Sequence, residues 1–290
     1  YTLWHTLSLH DALPIWHIEC SAMSSSLLGE TIDIHGGGKD LIFPHHENEI
    51  AQSETAFEKP FVKYWIHNGF VNINQEKMSK SLGNFLMIKD VIQSFHPEAV
   101  RFFLLSNHYR SPIDFSEKAM DEATIGLEKI YSLLERLEDR FGPVSEIASS
   151  PGTAWEQFCE AMNDDFNTAR GIGTLFSTVR ELNRLLDRED QNFSGEETEE
   201  MQSSCGDILR IGNILGVLTL QPKQYFKEKR EKNISEQAID PKEIERMIRS
   251  RAEARKARNW ARADEIRKQL EEMNIILEDR PDGTVWKFKG

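Results

Sequence analysis

An amphipathic stretch between residues 116 and 140 constrains the fold of this chain more than any other feature. Its apolar residues recur at steps of three or four, which places them along one face of a helix: Ala119, Ala123, Leu127, Ile130, Leu134 and Leu137. Ser116 precedes them as an N-cap candidate. Helical periodicity continues to residue 217, with breaks at 142–152 and 188–195. Since such a stripe needs partners that cover it, we predict a bundle of about four helices.

Before the bundle, residues 16–92 alternate short β-like runs with loops and helix signals, which is typical of an α/β layer. Pro44 suits the first position of a helix that continues to residue 52. A further helix should break at His96 and Pro97. The predicted strands are residues 31–34, 64–67 and 69–73, and the glycines 36–38 are predicted to form a tight turn.

The chain after the bundle divides into a polar stretch, 221–239, which we interpret as a linker, and a small module, 240–290. Asp240 is an N-cap candidate, and Pro241 follows at the first helical position with a glutamate two residues further on. The pattern predicts two helices and then a β-hairpin at the C-terminus. The module should therefore be a small α+β unit.

Composition predicts an ordinary soluble protein. The 290 residues are 39% hydrophobic and 29% charged, and no apolar run approaches the ~20 residues that span a bilayer. Residues 1–15 lack the basic start and apolar centre of a secretion signal. The widely spaced Cys20, Cys159 and Cys205 cannot form a disulfide framework. We therefore expect a cytoplasmic protein without a membrane partner.

A net charge of −13 argues at first against a nucleic-acid partner, because phosphates repel an acidic surface. The charge is unevenly placed, however. From Arg246 to Arg262 there are seven basic residues and one acidic residue, Glu253. A local basic face is therefore predicted in the C-terminal module.

Two lysines and two hydroxyls share the short segment 77–81, which a Gly83-Asn84 turn closes. Lysine carries a compact charge on a flexible stem, so Lys77 and Lys80 could follow the phosphate oxygens of a nucleotide during a reaction. A solvated basic turn is the alternative that these residue types alone leave open.

Cys20, His45 and Glu49 offer one sulfur, one nitrogen and one oxygen, all of which are zinc ligands. His45 and Glu49 are four residues apart and lie on one face of a helix. Spacing alone leaves open that Cys20 is a small core residue and that the other two form a solvated face. His46 points elsewhere on that helix, and we expect it to support the site.

The segment Lys77-Met78-Ser79-Lys80-Ser81 matches the signature loop of class I aminoacyl-tRNA synthetases. Together with residues 16–23, 33–38, 40–49 and 108–111, it makes the chain resemble the cysteinyl-tRNA synthetase family over nearly everything after residue 15. The resemblance implies an α/β plus all-α protein. Its parts are an unrelated or misread segment 1–15, the C-terminal part of a Rossmann-like class I catalytic domain at 16–115, a DALR-like helical bundle at 116–220, the linker at 221–239 and an anticodon-recognition module at 240–290.

The resemblance also implies the reaction. The family joins cysteine to ATP, which gives cysteinyl adenylate and pyrophosphate, and then passes the cysteinyl group to the terminal ribose of its tRNA. Lys80, with Lys77 nearby, would contact the phosphates of ATP, which brings Mg²⁺. Gly37 and Asp40 would shape the adenosine side. The implied partners are the tRNA for cysteine, cysteine and ATP, and we expect a monomer.

In this family two cysteines, a histidine and a glutamate hold zinc, and the thiolate of the substrate binds the metal. The corresponding residues here are Cys20, His45 and Glu49, and Trp16 and His35 would wall the amino-acid pocket. A thiol loses its proton far more easily than a serine hydroxyl and is the softer ligand. The metal would therefore discriminate cysteine from serine, although the two side chains are similar in size.

At the other end of the chain, the resemblance implies that Arg255, Asp264 and Asp279 read the anticodon. Charged side chains suit unstacked bases, whose edges carry hydrogen-bond donors and acceptors. Trp260 lies between the two predicted helices of the module. It could stack on a base or close the helix pair, and we favour the core position.

Two family elements are missing: a His-Ile-Gly-His sequence and an early cysteine as the fourth zinc ligand. Their absence predicts an N-terminally truncated enzyme that retains tRNA binding and forms little adenylate. Two alternatives remain, a tRNA-binding module without chemistry and a ligase that joins cysteine to an amino-sugar. The tail 240–290 argues against the second, because a small-molecule ligase does not need it.

Overall fold

A computed structural model describes residues 15–73, 76–77, 86–144, 150–188, 192–237, 241–273, 275–280 and 283–288. At some described positions, among them residues 15, 16, 76 and 77, it describes the backbone alone. Within these ranges no helix is long and apolar enough to cross a membrane.

The first part of the chain is an α/β layer, as predicted. Its elements are α1 (Ile15–Leu28), β1 (Ile32–Gly38), α2 (Glu47–Phe57), β2 (Val62–Asn68), β3 (Val71–Ile73), β4 (Glu76–Lys77), α3 (Ile88–Ser94), α4 (Pro97–Leu105) and β5 (Ile113–Phe115). The sheets are small: β1 pairs in parallel with β2, and β3 lies between β4 and β5, antiparallel to β4 and parallel to β5.

Two local predictions in this layer are wrong. The glycines 36–38 do not form a turn but belong to β1, where their residues pair with those of β2 up to Asn68. Pro44 lies inside a π-helical turn, Ile42–His46, which a 3₁₀ turn, Lys39–Leu41, precedes, and α2 begins only at Glu47. The predicted break at His96 and Pro97 is confirmed, since it separates α3 from α4.

The predicted helical bundle is confirmed as α5 (Glu117–Phe141), α6 (Thr153–Asn163), α7 (Thr168–Leu186) and α8 (Gly195–Leu215). Ser116 caps α5 by accepting a hydrogen bond from the Ala119 amide at 3.2 Å. The stripe of α5 is buried from Ala123 to Leu137 and packs with α4, α7 and α8 in the main core. This core is continuous from α4 of the α/β layer into the bundle, which fixes the two parts to each other.

The segment expected to be a linker, 221–239, instead contains helix α9 (Pro222–Gln237). Tyr225 is 1% exposed and stacks on Tyr131 of α5, with ring centroids 4.0 Å apart. The polar composition concealed this packing, because the contacts of α9 with α5 combine the aromatic residues with ion pairs from Lys223 to Asp139 and from Lys229 to Glu128.

The C-terminal module follows the prediction. Helices α10 (Pro241–Lys256) and α11 (Trp260–Glu272) pack together, and β6 (Ile275–Arg280) and β7 (Gly283–Phe288) form an antiparallel hairpin. Its small core consists of Ile244, Ile266, Leu270, Ile275 and Trp286. The expectation that Trp260 is a core residue is wrong, since it is 59% exposed at the start of α11.

A candidate metal and amino-acid site

Glu49 forms the centre of a buried polar cluster between β1 and α2. It is 4% exposed, and its Oε2 lies 2.8 Å from Nε2 of His35. His46 is also buried, and each of His35, His46 and Glu49 offers a metal-binding atom within 4.8 Å of the others. Strand β1 supplies His35, while the π-helical turn and α2 supply the other two. A buried carboxylate between imidazoles is an arrangement that suits a divalent cation.

The register of the parallel strands builds an aromatic wall next to this cluster. His35 pairs with Trp65, and their rings stack with centroids 4.6 Å apart. Two residues further on, Gly37 pairs with His67, whose Nε2 lies 2.8 Å from Nδ1 of His46. Because side chains of a strand alternate between its faces, His35 and Gly37 share the face that carries the site.

Gly37 leaves room for the His46 ring. A Cβ at this position would lie 2.8 Å from Cε1 of His46, closer than atoms can approach. The prediction that Gly37 shapes the adenosine side of an ATP site stays untested, and the structure gives this residue a packing role beside the histidines. Asp40 is exposed in the 3₁₀ turn just after β1.

The predicted ligands Cys20 and His45 lie beside the cluster, and neither is in the set within 4.8 Å. Partial desolvation, followed by the charge of Glu49 and a side-chain hydrogen bond to it, raises the pKa of the Cys20 thiol, although the residue as a whole is exposed. The His45 ring turns toward α1, and its Nδ1 lies 2.9 Å from Nε2 of His17. The structure thus brings Cys20 next to Glu49 and leaves His45 with a histidine neighbour.

Sequence reasoning missed His17, Trp65 and His67. His17 is 3% exposed, and desolvation and then the charge of His45 lower its pKa. Desolvation, followed by the charges of Arg110 and His35, lowers the pKa of His67. The signal that could have found them is the number of histidines between residues 17 and 67, combined with the alternation of side chains along β1 and β2.

The predicted site residue Lys80 falls outside the part of the chain that the structure describes. Of Trp16, Lys77 and Asp279 only the backbone is described. Trp16 belongs to α1, Lys77 to β4 and Asp279 to β6. In the C-terminal module, Arg255 lies in the last turn of α10 and Asp264 in α11, and both are exposed.

The donor set fits zinc. A thiol, imidazoles and a buried carboxylate are the groups from which zinc sites are built, and neutral imidazoles, which the lowered pKa of His46 favours, are the ligand form. Desolvation and the charge of Glu49 raise the pKa of the Cys20 thiol. A cation bound by Cys20 and Glu49 would lower this pKa, because the positive charge stabilises the thiolate.

Three family models match the chain in order. They are the class I (C) catalytic domain of tRNA synthetases over residues 8–125, the DALR domain over 157–219 and the cysteinyl-tRNA ligase anticodon binding domain over 241–286. The first match begins inside the segment 1–15 that was expected to be unrelated. A ternary complex of a LeuRS from Agrobacterium radiobacter K84 matches the fold with a TM-score of 0.50 and 19% identity, over 62% of this chain and 25% of that one. The fold and the matches define a class I aminoacyl-tRNA synthetase.

Sequence identity to curated relatives identifies a family within this class. The chain is 50% identical over 279 residues to a cysteine–tRNA ligase of Syntrophotalea carbinolica and 50% identical over 285 residues to one of Geobacter sp. strain M21. Each alignment covers 95% of this chain and 58% of the relative. The chain belongs to the cysteinyl-tRNA ligase family, and it spans little more than half the length of these relatives.

Proposed function

We propose that this chain carries the amino-acid site and the anticodon-reading module of a cysteine–tRNA ligase, which acts in the cytoplasm as a monomer. The observation that supports the proposal most is the 50% identity to cysteine–tRNA ligases over 95% of the chain. The substrates are cysteine, ATP with Mg²⁺ and the tRNA for cysteine. The match of the tail 241–286 to an anticodon binding domain disfavours a ligase for an amino-sugar.

Cys20, His45 and Glu49 would hold a zinc ion in this proposal. Zinc supplies a soft cation that prefers the thiolate of cysteine to the hydroxyl of serine. His35 orients Glu49 through the 2.8 Å contact between its Nε2 and the carboxylate. His46, buried behind them, keeps the imidazole cluster together through its 2.8 Å contact with His67. The ring of Trp65, which stacks on that of His35, would form an apolar wall of the amino-acid site.

Lys80 and Lys77 would neutralise charge on the phosphates of ATP while the carboxylate of cysteine attacks the α-phosphorus and pyrophosphate leaves. Positioning and charge neutralisation are most of what such a reaction asks of a protein. A Lys80→Ala variant should bind ATP more weakly, and an unchanged affinity in equilibrium dialysis would argue against this assignment.

The anticodon assignment is tested by tRNA binding. The chain should bind the tRNA for cysteine more tightly than one that differs only in its anticodon, and the affinity should fall with salt. Arg255→Ala and Asp264→Ala should reduce this discrimination by about tenfold, the effect of ~1.4 kcal/mol. Arg180→Ala is the matched control, because Arg180 is exposed on α7, outside the module.

Filter binding with both tRNAs measures these affinities. Equal affinity for the two tRNAs would contradict the anticodon assignment. Binding of the correct tRNA without any binding of cysteine would select the alternative of a tRNA-binding module that has no chemistry.

The ligand assignment has its own test. Zinc affinity, measured by competition with a chelator, should fall strongly in Cys20→Ser, His45→Ala and Glu49→Gln. If His46→Ala weakens zinc binding while His45→Ala does not, the set of His35, His46 and Glu49 holds the metal instead.

A further inference from the structure

The turn between α6 and α7 makes a concentrated set of contacts to the loop 107–112, which precedes β5. The Asp165 carboxylate accepts hydrogen bonds from the Tyr109 hydroxyl at 2.6 Å and from Nε and Nη2 of Arg110 at 2.5 and 2.9 Å. Nε2 of His108 lies 3.8 Å from the same carboxylate. Three consecutive residues of one loop thus converge on a single side chain of the bundle.

The backbone of this turn supports the contact. Asp165 and Phe166 have φ values of 56° and 52°, in the left-handed region that residues other than glycine rarely adopt. A second contact joins the same two segments, since the Thr168 hydroxyl donates to the Asn107 carbonyl at 3.5 Å. The strained turn and the aligned carboxylate indicate that the position of Asp165 is specific, because an arbitrary surface ion pair needs neither.

On its other side the loop makes backbone hydrogen bonds to the residues that follow β2. The Gly69 amide donates to the Tyr109 carbonyl at 2.7 Å, and the Ile113 amide donates to the Phe70 carbonyl at 2.8 Å. A Cβ at Gly69 would collide with the Ser111 carbonyl, so the loop backbone packs directly on this glycine. The loop therefore connects the bundle to the segment between β2 and β3.

This segment lies next to the candidate site. His67 is two residues before Gly69, and its Nε2 contacts Nδ1 of His46 at 2.8 Å. A set of contacts thus leads from Asp165 through Tyr109 to Gly69, which follows two residues after the His67 that contacts His46.

We propose that Asp165 is a positioning residue: it fixes the loop 107–112 from the bundle, and the loop holds the end of β2 that carries His67 into the candidate site. This inference rests on the proposed function where it concerns the metal. The bundle would thereby act on the candidate site through the loop 107–112.

The test compares Asp165→Asn with Asp164→Asn, a matched control whose carboxylate lies one residue away and 3.8 Å from Arg170. Arg110→Lys, which keeps the charge but loses the two parallel hydrogen bonds, is the second variant. The first readout is the hydrogen exchange of the Gly69 and Ile113 amides in the whole chain. The second is the affinity for Zn²⁺ alone, by chelator competition.

Asp165→Asn and Arg110→Lys should raise exchange at Gly69 about two- to fivefold, the effect of a half-exposed charged pair, and should weaken Zn²⁺ binding in the same range. Asp164→Asn should change neither, and exchange in α7 should stay as in the parent chain in all variants. Unchanged exchange at Gly69 in both variants overturns the proposal, and raised exchange with unchanged zinc affinity overturns its link to the site. If the parent chain binds no zinc, the proposed function fails, and exchange at Gly69 alone still decides whether Asp165 positions the loop.

Discussion

Removing the carboxylate of Glu98 should destabilise the protein more than any other single change to a charged residue of α4. Glu98 is 7% exposed and accepts hydrogen bonds from the Tyr131 hydroxyl at 2.7 Å, the Leu218 amide at 3.1 Å and the Thr219 amide at 2.8 Å. The Thr219 hydroxyl donates to it as well. This one side chain therefore joins α4, α5 and the segment that follows α8.

The magnitude follows from the donors left without a partner. In Glu98→Ala the Tyr131 hydroxyl and the Leu218 amide are buried and unpaired, and each such group costs about 1–3 kcal/mol. Removing a buried charge offsets part of this cost, so the net loss should be about 3 kcal/mol in the free energy of unfolding. Glu98→Gln keeps the shape but replaces one of the two accepting oxygens by an amide group that donates, so it should cost about 1–3 kcal/mol.

Urea unfolding of the whole chain measures these values, with Glu181→Ala on the exposed face of α7 as a control that should change stability by less than ~0.5 kcal/mol. A double-mutant cycle with Tyr131→Phe should give a coupling energy of about 1 kcal/mol, since the two side chains share one hydrogen bond. A cost for Glu98→Ala no larger than that of the control, or zero coupling, would refute the reasoning.

Three further predictions follow from the contacts around the site and the bundle. The hydrogen bonds from Arg110 and then Tyr109 lower the pKa of Asp165 to about 2. Because its ordinary pKa is near 4 in the unfolded chain, the stabilisation should be present above about pH 4 and be lost as the pH falls toward 2. The difference in thermal stability between the parent chain and Asp165→Asn should shrink over this range, and a constant difference would contradict the ion pair. Burial raises the pKa of the Cys205 thiol to about 12, so a thiol reagent should modify the exposed Cys20 long before Cys205, as mass spectrometry can follow, and zinc should protect Cys20. Gly37→Ala should weaken zinc binding about five- to a hundredfold, because its Cβ would have to displace the His46 ring at a cost of about 1–3 kcal/mol. Gly173→Ala is the control, since a Cβ there meets nothing within 4 Å, and equal zinc affinities of the two variants would speak against the packing argument.

The helical part of the fold could be predicted from the sequence because its signals are local. Ser116 caps α5 as expected, and the stripe of apolar residues at helical spacing lies in the main core. The C-terminal hairpin likewise follows from short alternating runs around a turn. These elements depend on neighbours within a few residues, which is the range that periodicity and caps report.

The site could be predicted only in part, because its contacts join residues that are distant in sequence. Glu49 was predicted as a zinc ligand, which stays a prediction, and its pairing with His35 depends on how α2 packs against β1. Spacing at four residues suggested His45 as its neighbour, whereas the chain turns this ring toward His17. The glycines 36–38 resembled a turn and became a strand, because pairing with β2 outweighs their weak preference for extended backbone.

The exposed Trp260 is a second case in which the sequence did not predict a long-range contact. An aromatic residue between two helices is usually core, yet the small core of the module is filled by Trp286 and aliphatic side chains. Which of two tryptophans enters a core is decided by packing volume, and a single sequence does not report it.

The central claim is that a metal held beside Glu49 selects cysteine through its thiolate. The most direct measurement replaces zinc by Co²⁺ in the chain and records the sulfur-to-cobalt charge-transfer absorption. The account predicts such a band in the parent chain, its loss in Cys20→Ser, and an increase when cysteine is added but not when serine is added. A band that is unchanged in Cys20→Ser, or that responds equally to serine and cysteine, would contradict it.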